Sequence, residues 1–350
     1  MLDELSEEKI IMSNSAVGTE IDVSDNKTPV ISVWFAGILK YIKKNFASAV
    51  IFPFLGIGAF LILWSISAAS IKTSLGQFPG PQAVYQAAGT LIDEHQAERE
   101  KEAGFQERQK KRNEAKRAKD PNAVIKQRKY PGKPTFFDQI FTSLKTVAFG
   151  FMIASAIAIP VGIACGLSDA FYSAMNPLIQ IFKPVSPLAW LPLITLVVVS
   201  VYDSPDPFFE KSFLVSGFTV ALCCLWPTLI NTAVGVANID KDLVNVGRVI
   251  QLNKSTHIRK IVWPASIPMI FTGLRLSLAT GWMVLIAAEM LSQNPGLGKF
   301  VWDEFQNGSS NSLSRIIVAV IVIGLVGFIL DRLILVAQRY FSWDKTAVLR

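Results

Sequence analysis

Long apolar stretches recur along the chain, separated by charged segments. Residues 46–70 read FASAVIFPFLGIGAFLILWSISAAS without a charge, and residues 146–167 read TVAFGFMIASAIAIPVGIACGL. Further stretches cover 184–202, 212–237, Ser266–Ala288 and Ile316–Leu330, with Leu333–Val336 continuing the last. A helix of about 20 such residues crosses roughly 30 Å of hydrocarbon. A membrane barrel would instead show short segments of alternating character, and these stretches do not alternate. Helices satisfy their own backbone in lipid. The pattern predicts an all-α membrane protein with about six transmembrane helices. Pro160, Pro184, Pro187, Pro192 and Pro227 fall inside or beside these stretches and are expected to break them, at about 3 kcal/mol each in an uncompensated helix interior. Gly162-Ile-Ala-Cys-Gly166 permits close helix approach.

Between the stretches lie two charged regions. Residues 71–138 carry 14 Lys or Arg against 9 Asp or Glu. Their centre, EHQAEREKEAGFQERQKKRNEAKRAKD, is rich in helix formers and has no sustained apolar heptad, which reads as a solvated, partly helical insert. Residues 238–265 hold five Lys or Arg against two Asp. With six spans this second region shares a side with both termini, and its positive excess places it in the cytosol. The insert 71–138 is then periplasmic, although its own basic excess argues the other way; long loops are the weaker topology signal. The resulting division is a cytosolic N-terminal tail and surface segment over 1–45, a first span over 46–70, the insert, a core of five spans over 139–336, and a cytosolic tail over 337–350. The acidic, polar start MLDELSEEKI lacks the basic start and immediate apolar run of a secretory signal. Lys40, Lys43 and Lys44 suit a segment lying along the inner membrane surface.

Composition agrees. The chain is 51% hydrophobic and only 17% charged, against about 25% charged in ordinary soluble domains, which disfavours a soluble multidomain enzyme. The formal charge of +7 sits mostly in the insert and the loop, so it marks topology and contacts rather than nucleic acid. Cys165, Cys223 and Cys224 lie in apolar runs and only His95 and His257 accompany them, which offers neither a disulfide framework nor a metal set. Asn294-Pro-Gly-Leu-Gly-Lys-Phe300 lacks the glycine spacing and following Ser or Thr of a P-loop.

PVSPLAWLPL at 184–193, LWPTLINTAVGVA at 225–237, IRKIVWPASIPMIFTGLRLSLATGW at 258–282, LIAAEML at 285–291 and VWDEF at 301–305 occur in one order and spacing. Over about 140–336 and the first span, the chain resembles the inner-membrane permease subunit of binding-protein-dependent ABC importers. The group is the one handling nitrate, sulfonate, taurine, cyanate and bicarbonate, and the nitrate permeases are its nearest branch. The resemblance implies a type I importer bundle in a bacterial inner membrane. It also implies a second permease copy, two ABC ATPase subunits holding ATP and Mg2+, and a periplasmic substrate-binding protein. This chain would bind no cofactor of its own. The implied substrate is nitrate, with nitrite as a second anion; sulfonate, taurine, cyanate or bicarbonate are the same-fold alternatives. An ion-coupled secondary transporter and a non-transporting membrane scaffold are the broader ones.

Family permeases carry a cytosolic Glu-Ala-Ala, three residues, Gly, nine residues, Ile-x-Leu-Pro. Counting back from Pro264 sets Asn245, Val246 and Gly247 at Glu-Ala-Ala, with Arg248 and Val249 following. Gln251 stands at the glycine, Ile261 matches and Trp263 replaces Leu. The resemblance implies that 238–264 is a coupling helix seated in the ATPase. The residues agree: Asp240 or Asp242 suits a helix N-cap, Leu243, Val246, Val249, Ile250 and Leu252 supply an apolar face, and Arg248, Lys254, Arg259 and Lys260 supply a rim. A helix on lipid headgroups is the alternative. Charges inside spans are costly and usually paired or functional. Arg275 is accordingly a candidate for the anion pathway, with snorkelling as the other reading, and Glu289 for structure or gating. Ser186 and Trp190 in the proline-rich third stretch are candidates for pathway lining, with packing the alternative for Trp190. Lys183, at a span boundary just before PVSP, reads as ordinary positive-inside chemistry because the preceding loop over 168–178 is expected in the cytosol, with attraction of a small anion as the alternative.

Overall fold

The computed structural model describes residues 51–73, 76–119, 128–203, 208–309 and 311–341. The N-terminal tail, the first residues of the first apolar stretch and the chain beyond 341 lie outside them. The chain divides into two compact units, Met1–Lys72 and Thr73–Arg350.

In the first unit, α1 (Phe52–Ser70) has 19 residues, about 28 Å at 1.5 Å per residue. It starts with Pro in its first turn, where no intrahelical amide is lost. Its large apolar side chains, among them Phe54, Leu63 and Ile66, are exposed, as suits a helix solvated by lipid tails.

The second unit contains the bundle. In chain order its helices are α2 (Pro81–Lys119), α3 (Phe136–Leu167), α4 (Asp169–Phe182), α5 (Pro187–Val201), α6 (Lys211–Ala237), α7 (Lys241–Val249), α8 (Lys254–His257), α9 (Trp263–Ser292), α10 (Leu297–Asn307) and α11 (Ser312–Phe341). Residues Ile258–Val262 between α8 and α9 form a π-helical turn. Among the described residues, five helical stretches are long and apolar enough to cross a membrane, or six if the bent pair α4–α5 is one span.

Glycines set the packing of α3 on α6. A Cβ on Gly162 would lie 2.7 Å from Thr232 Cβ and 2.8 Å from the Leu229 carbonyl. Gly150 meets Gly217 and Val220, and Gly166 meets Ala233 and Val236. The partner numbers rise together, so α3 and α6 run parallel. Helix α9 runs against them: Gly281 faces Val220 and Cys224, whereas Gly235 faces Ser266 and Met269. Helix α11 runs antiparallel to α9, because Trp282 Nε1 donates to the Ile323 carbonyl at 3.0 Å and Arg275 pairs with Asp331.

Two parallel helices need a return leg, and α4–α5 supplies it. The expected cytosolic loop at 168–178 is instead helical. Ser168 caps α4 by accepting from the Phe171 amide at 3.3 Å, and the short polar residues of DAFYSAMNPLIQIF let one side stay wet. Pro184 and Pro187 mark the break, where α4 and α5 bend by 100°. Pro160, Pro192 and Pro227, expected to interrupt their stretches, lie within continuous helices. One polar side chain at such a site is Asn231, which donates to the Pro227 carbonyl at 2.8 Å.

The charged insert packs on one end of the bundle. Val84, Ala87 and Leu91 form a short buried stripe on α2, and Arg315 of α11 grips Glu94 at 2.8 and 2.9 Å. Thr135 and Asp138 make a capping box at the start of α3. Arg99 of α2 reaches Asp138 at 2.8 Å, and His95 shares a 2.7 Å hydrogen bond with Thr135. Tyr130 donates to Glu98 at 2.8 Å, which holds that carboxyl below its ordinary range and pushes the phenol up. Helix α2 thus touches the N-terminal ends of α3 and α11, while α7 follows the C-terminal end of α6. By the helix directions above, insert and α7 occupy opposite ends.

The glycine contact gives a direct test. Gly162→Val should destabilise the folded bundle by about 3 kcal/mol, because the added carbons meet backbone and a β-branched side chain. Gly58→Val on α1, where a Cβ meets nothing within 4 Å, is the control. Thermal unfolding in detergent reads the difference.

Candidate functional site

The loop at the α7 end has a specific local build. Of the two N-cap candidates, Asp240 takes the role, accepting from the Asp242 amide at 2.9 Å. Helix α7 has nine residues, and its ending follows a recognisable hydrogen-bond pattern. The Leu252 amide donates to the Gly247 carbonyl at 3.0 Å, and the Gln251 amide to the Arg248 carbonyl at 3.0 Å. This pair of bonds defines a Schellman motif, whose C′ residue is left-handed and usually glycine. Gln251 occupies that position with φ +52°. A glycine would adopt this backbone without strain, and Gln251 fills the position despite its Cβ.

Gly247 points inward, where an added Cβ would lie 2.8 Å from Ile261 Cδ1 and 3.0 Å from His257 Nδ1. Leu243, Val246, Val249 and Ile250 point outward and are exposed, Val249 at 81%. Asn253 caps α8 by accepting from the Thr256 amide at 2.8 Å. The π turn Ile258–Val262 then leads into α9, where Pro264 sits in the first turn. Single π turns often accompany functional sites. Asn245, Val246, Gly247, Arg248, Val249, Gln251, Ile261 and Pro264 are thus gathered into one loop with an unmet apolar face.

The intramembrane charges are resolved differently. Arg275 Nε and Nη2 bind Asp331 of α11 at 2.5 and 3.0 Å. This bidentate pair joins α9 to α11 and borders a small cavity of about 160 Å3 lined by Leu278, Trp282 and Leu330. The guanidinium charge is therefore met within the chain. Asp331 lies one residue past the stretch ending at Leu330, which hid it from a boundary-based reading. The signal was Arg275 itself, since an intramembrane cation calls for an anion.

Glu289 is fully buried. Its carboxylate accepts from the Ser143 hydroxyl at 2.8 and 2.9 Å, from the Gly298 amide at 3.0 Å and from Asn294 Nδ2 at 3.5 Å. The Leu297 amide in turn donates to Ser143 Oγ at 2.8 Å. Any Cβ on Gly296 would collide with this carboxylate. The Asn294–Phe300 run, which is no phosphate loop, thus wraps a carboxylate at the start of α10, where helix amides and dipole favour negative charge. Ser143, Asn294 and Gly298 had no motif to announce them.

Ser186 and Trp190 lie apart from both pairs. Ser186 caps α5, accepting from the Leu188 amide at 3.3 Å. Trp190 packs on Phe182 at 5.7 Å and borders an apolar cavity of about 730 Å3 between α3, α5 and α6. Within one chain the structure does not bring Ser186, Trp190 and Arg275 into a common site. Among the described residues, no three His, Cys, Asp or Glu side chains converge as a metal site.

Two outcomes check this geometry. Gln251→Gly should relieve left-handed strain and firm the loop by about 1 kcal/mol, read as slower hydrogen exchange of the α7 amides. Asp331→Leu alone should cost about 3 kcal/mol by stranding a charge, and adding Arg275→Met should recover most of it, read by thermal unfolding of all three variants.

Residues 158–340 match the family described as the binding-protein-dependent transport system inner membrane component. The chain is 39% identical over 198 residues to the nitrate import permease protein NrtB of Leptolyngbya laminosa, covering 57% of this chain and 66% of that protein. The match thus spans just under two thirds of that relative. It is 35% identical over 306 residues to the bicarbonate transport system permease protein CmpB of Synechococcus elongatus, covering 87% of this chain and 93% of that one. A subunit of the MetNI methionine ABC transporter aligns in structure with a TM-score of 0.48 at 13% identity, over 59% of this chain and 96% of that one. The chain belongs to the family of inner-membrane components of binding-protein-dependent transport systems.

Proposed function

We propose that this chain is the permease subunit of an ATP-driven importer of small inorganic anions, with nitrate as substrate and nitrite as a second anion. The observation that carries the reading is the α7 loop. A short, well-capped helix displays Leu243, Val246, Val249 and Ile250 to solvent at the residues aligned with the family coupling motif. An exposed apolar face of this kind has the character of the buried centre of a subunit interface. Its proposed partner is an ABC ATPase, two copies of which bind ATP and Mg2+ and drive a dimer of permeases.

In this reading the α7 end faces the cytosol, supported by the five cations of 238–265 and the preference of cytosolic loops for Lys and Arg. The α2 end then faces the periplasm of a bacterial inner membrane, where a substrate-binding protein delivers the anion. The turn at Gln251, α8, the π turn and Pro264 lead from the coupling helix into α9, so a push on α7 is transmitted to the span that carries both Arg275 and Glu289. These two act on the bundle's conformations through their partners. Ser186 and Trp190 remain candidates for the pathway, through faces that a second copy would complete.

Nitrate rests on the 39% identity to a nitrate import permease. The bicarbonate permease aligned over 87% of this chain favours bicarbonate as a second reading. Both are planar monoanions of three oxygens, so one pathway geometry suits either.

Proteoliposomes containing permease, ATPases and binding protein should accumulate labelled nitrate only with ATP, with excess bicarbonate competing weakly. Val246→Asp/Val249→Asp should cut uptake by about ten-fold or more by placing charge in the ATPase contact. Uptake that persists without nucleotide or ATPases would overturn the reading, and stronger competition by bicarbonate would reassign the anion.

A further inference from the structure

Helix α2 is polarised in charge along its length. Its bundle-side half, 81–104, holds five acids against two cations, and Glu94, Glu98 and Glu102 are engaged by Arg315, Tyr130 and Arg99. Its far half, 105–119, holds seven Lys or Arg against two Glu. A return segment splints the helix as far as Gln109, whose side chain donates to the Arg128 carbonyl at 3.1 Å, with Phe105 packed on Tyr130 at 5.4 Å. Beyond that point, α2 makes no tertiary hydrogen bond or ion pair among the described residues. It continues for about 15 Å as a bare rod.

Arg108, Arg112 and Lys116 recur every fourth residue, which puts them on one helix face. All three are exposed, and none has an ion-pair partner among the described residues. Like charges at that spacing destabilise a helix. The helix dipole favours cations only in the last turn, which covers Lys116 and Arg117 but not Arg108, Lys110, Lys111 or Arg112. A membrane-lying helix needs an apolar face, and 105–119 offers only Phe105, already covered, with Ala115 and Ala118. The fitting partner is therefore an acidic, polar surface rather than the apolar interior of a bilayer.

We propose that this arm docks an acidic face of the substrate-binding protein that supplies the permease. The inference rests on the importer reading above and adds where the binding protein is held. Charge-guided docking of this kind speeds encounter and fixes orientation, and it weakens as salt screens it.

The test uses the complete importer in nanodiscs and the anion-loaded binding protein of the same system, with affinity measured at several salt concentrations. Arg112→Glu is the informative variant, because it turns two like-charge contacts on α2 into opposite pairs and so keeps the helix firm. It should raise Kd about five-fold, and Arg108→Glu/Arg112→Glu/Lys116→Glu further, each with a shallower salt dependence. Unchanged Kd in both variants, with wild-type import still dependent on the binding protein, would overturn the arm alone. Variants that lose attachment to phosphatidylglycerol vesicles while docking the binding protein normally would also overturn it, in favour of a lipid surface. Absence of both docking and import in the wild type would overturn the importer reading as well.

Discussion

Helices α3 and α6 approach so closely that Gly150, Gly162 and Gly166 have no room for a side chain. In lipid, apolar surface gains nothing by leaving one helix for another, so close packing must hold the bundle together. Because this pair runs parallel, the chain must come back between them, and α4–α5 is that return. Because α9 then runs against α6, the link between them is forced to the far end. The position of the α7 loop is thus a consequence of three glycines and their direction of packing.

The same solvent sets the polar groups inside. A hydroxyl or charge in hydrocarbon has no water to turn to. Thr219 and Thr146 return their hydroxyls to the carbonyls of Val215 and Thr142 at 2.8 Å, and Thr228 donates to Ser277 at 2.9 Å. Ser277 itself donates to the Cys224 carbonyl. Arg275 has an acid opposite it, and Glu289 has amides and hydroxyls around it. The two solutions differ in what they tie. The ion pair fastens α9 to the late part of α11, whereas the carboxylate cradle fastens the other end of α9 to α3 and the start of α10. Helix α9 is held at two depths while its first turn continues into the α7 loop through the π turn.

Much of this was legible along the chain. Apolar stretches of span length stood out because lipid demands them without interruption, and the loop at 238–264 stood out because its motif positions all fall within one short stretch of chain. What escaped depended on distance in sequence. Asp331 answers Arg275 across 56 residues, and Ser143 answers Glu289 across 146. No local pattern encodes either pairing. Helix α4 was hidden by its mixed composition, since a segment with one wet side resembles a loop in hydropathy. The prolines misled in the opposite way: Pro160 and Pro227 sit within intact helices whose neighbours hold them. Gln251 was readable as a departure from a motif, but its meaning came only with φ +52°.

The basic insert poses the remaining electrostatic question, because translocated segments are expected to be poor in Lys and Arg. That expectation concerns residues close to the membrane ends, not remote ones. On α2 the residues beside the bundle are net acidic, and Arg315 and Arg99 occupy part of that acid. Lys129 and Lys133 on the return segment bring this end towards neutrality rather than basicity. The excess lies beyond Phe105, along a helix that leads away from its anchor. A count over the whole insert merges these two zones and so reports a conflict that neither contains. Separated along the rod, the charges fit the proposed orientation in which α7 faces the cytosol: positive residues adjoin the bundle at the α7 end, near-neutral ones at the other, and the second basic region lies along α2 beyond its contacts with the bundle.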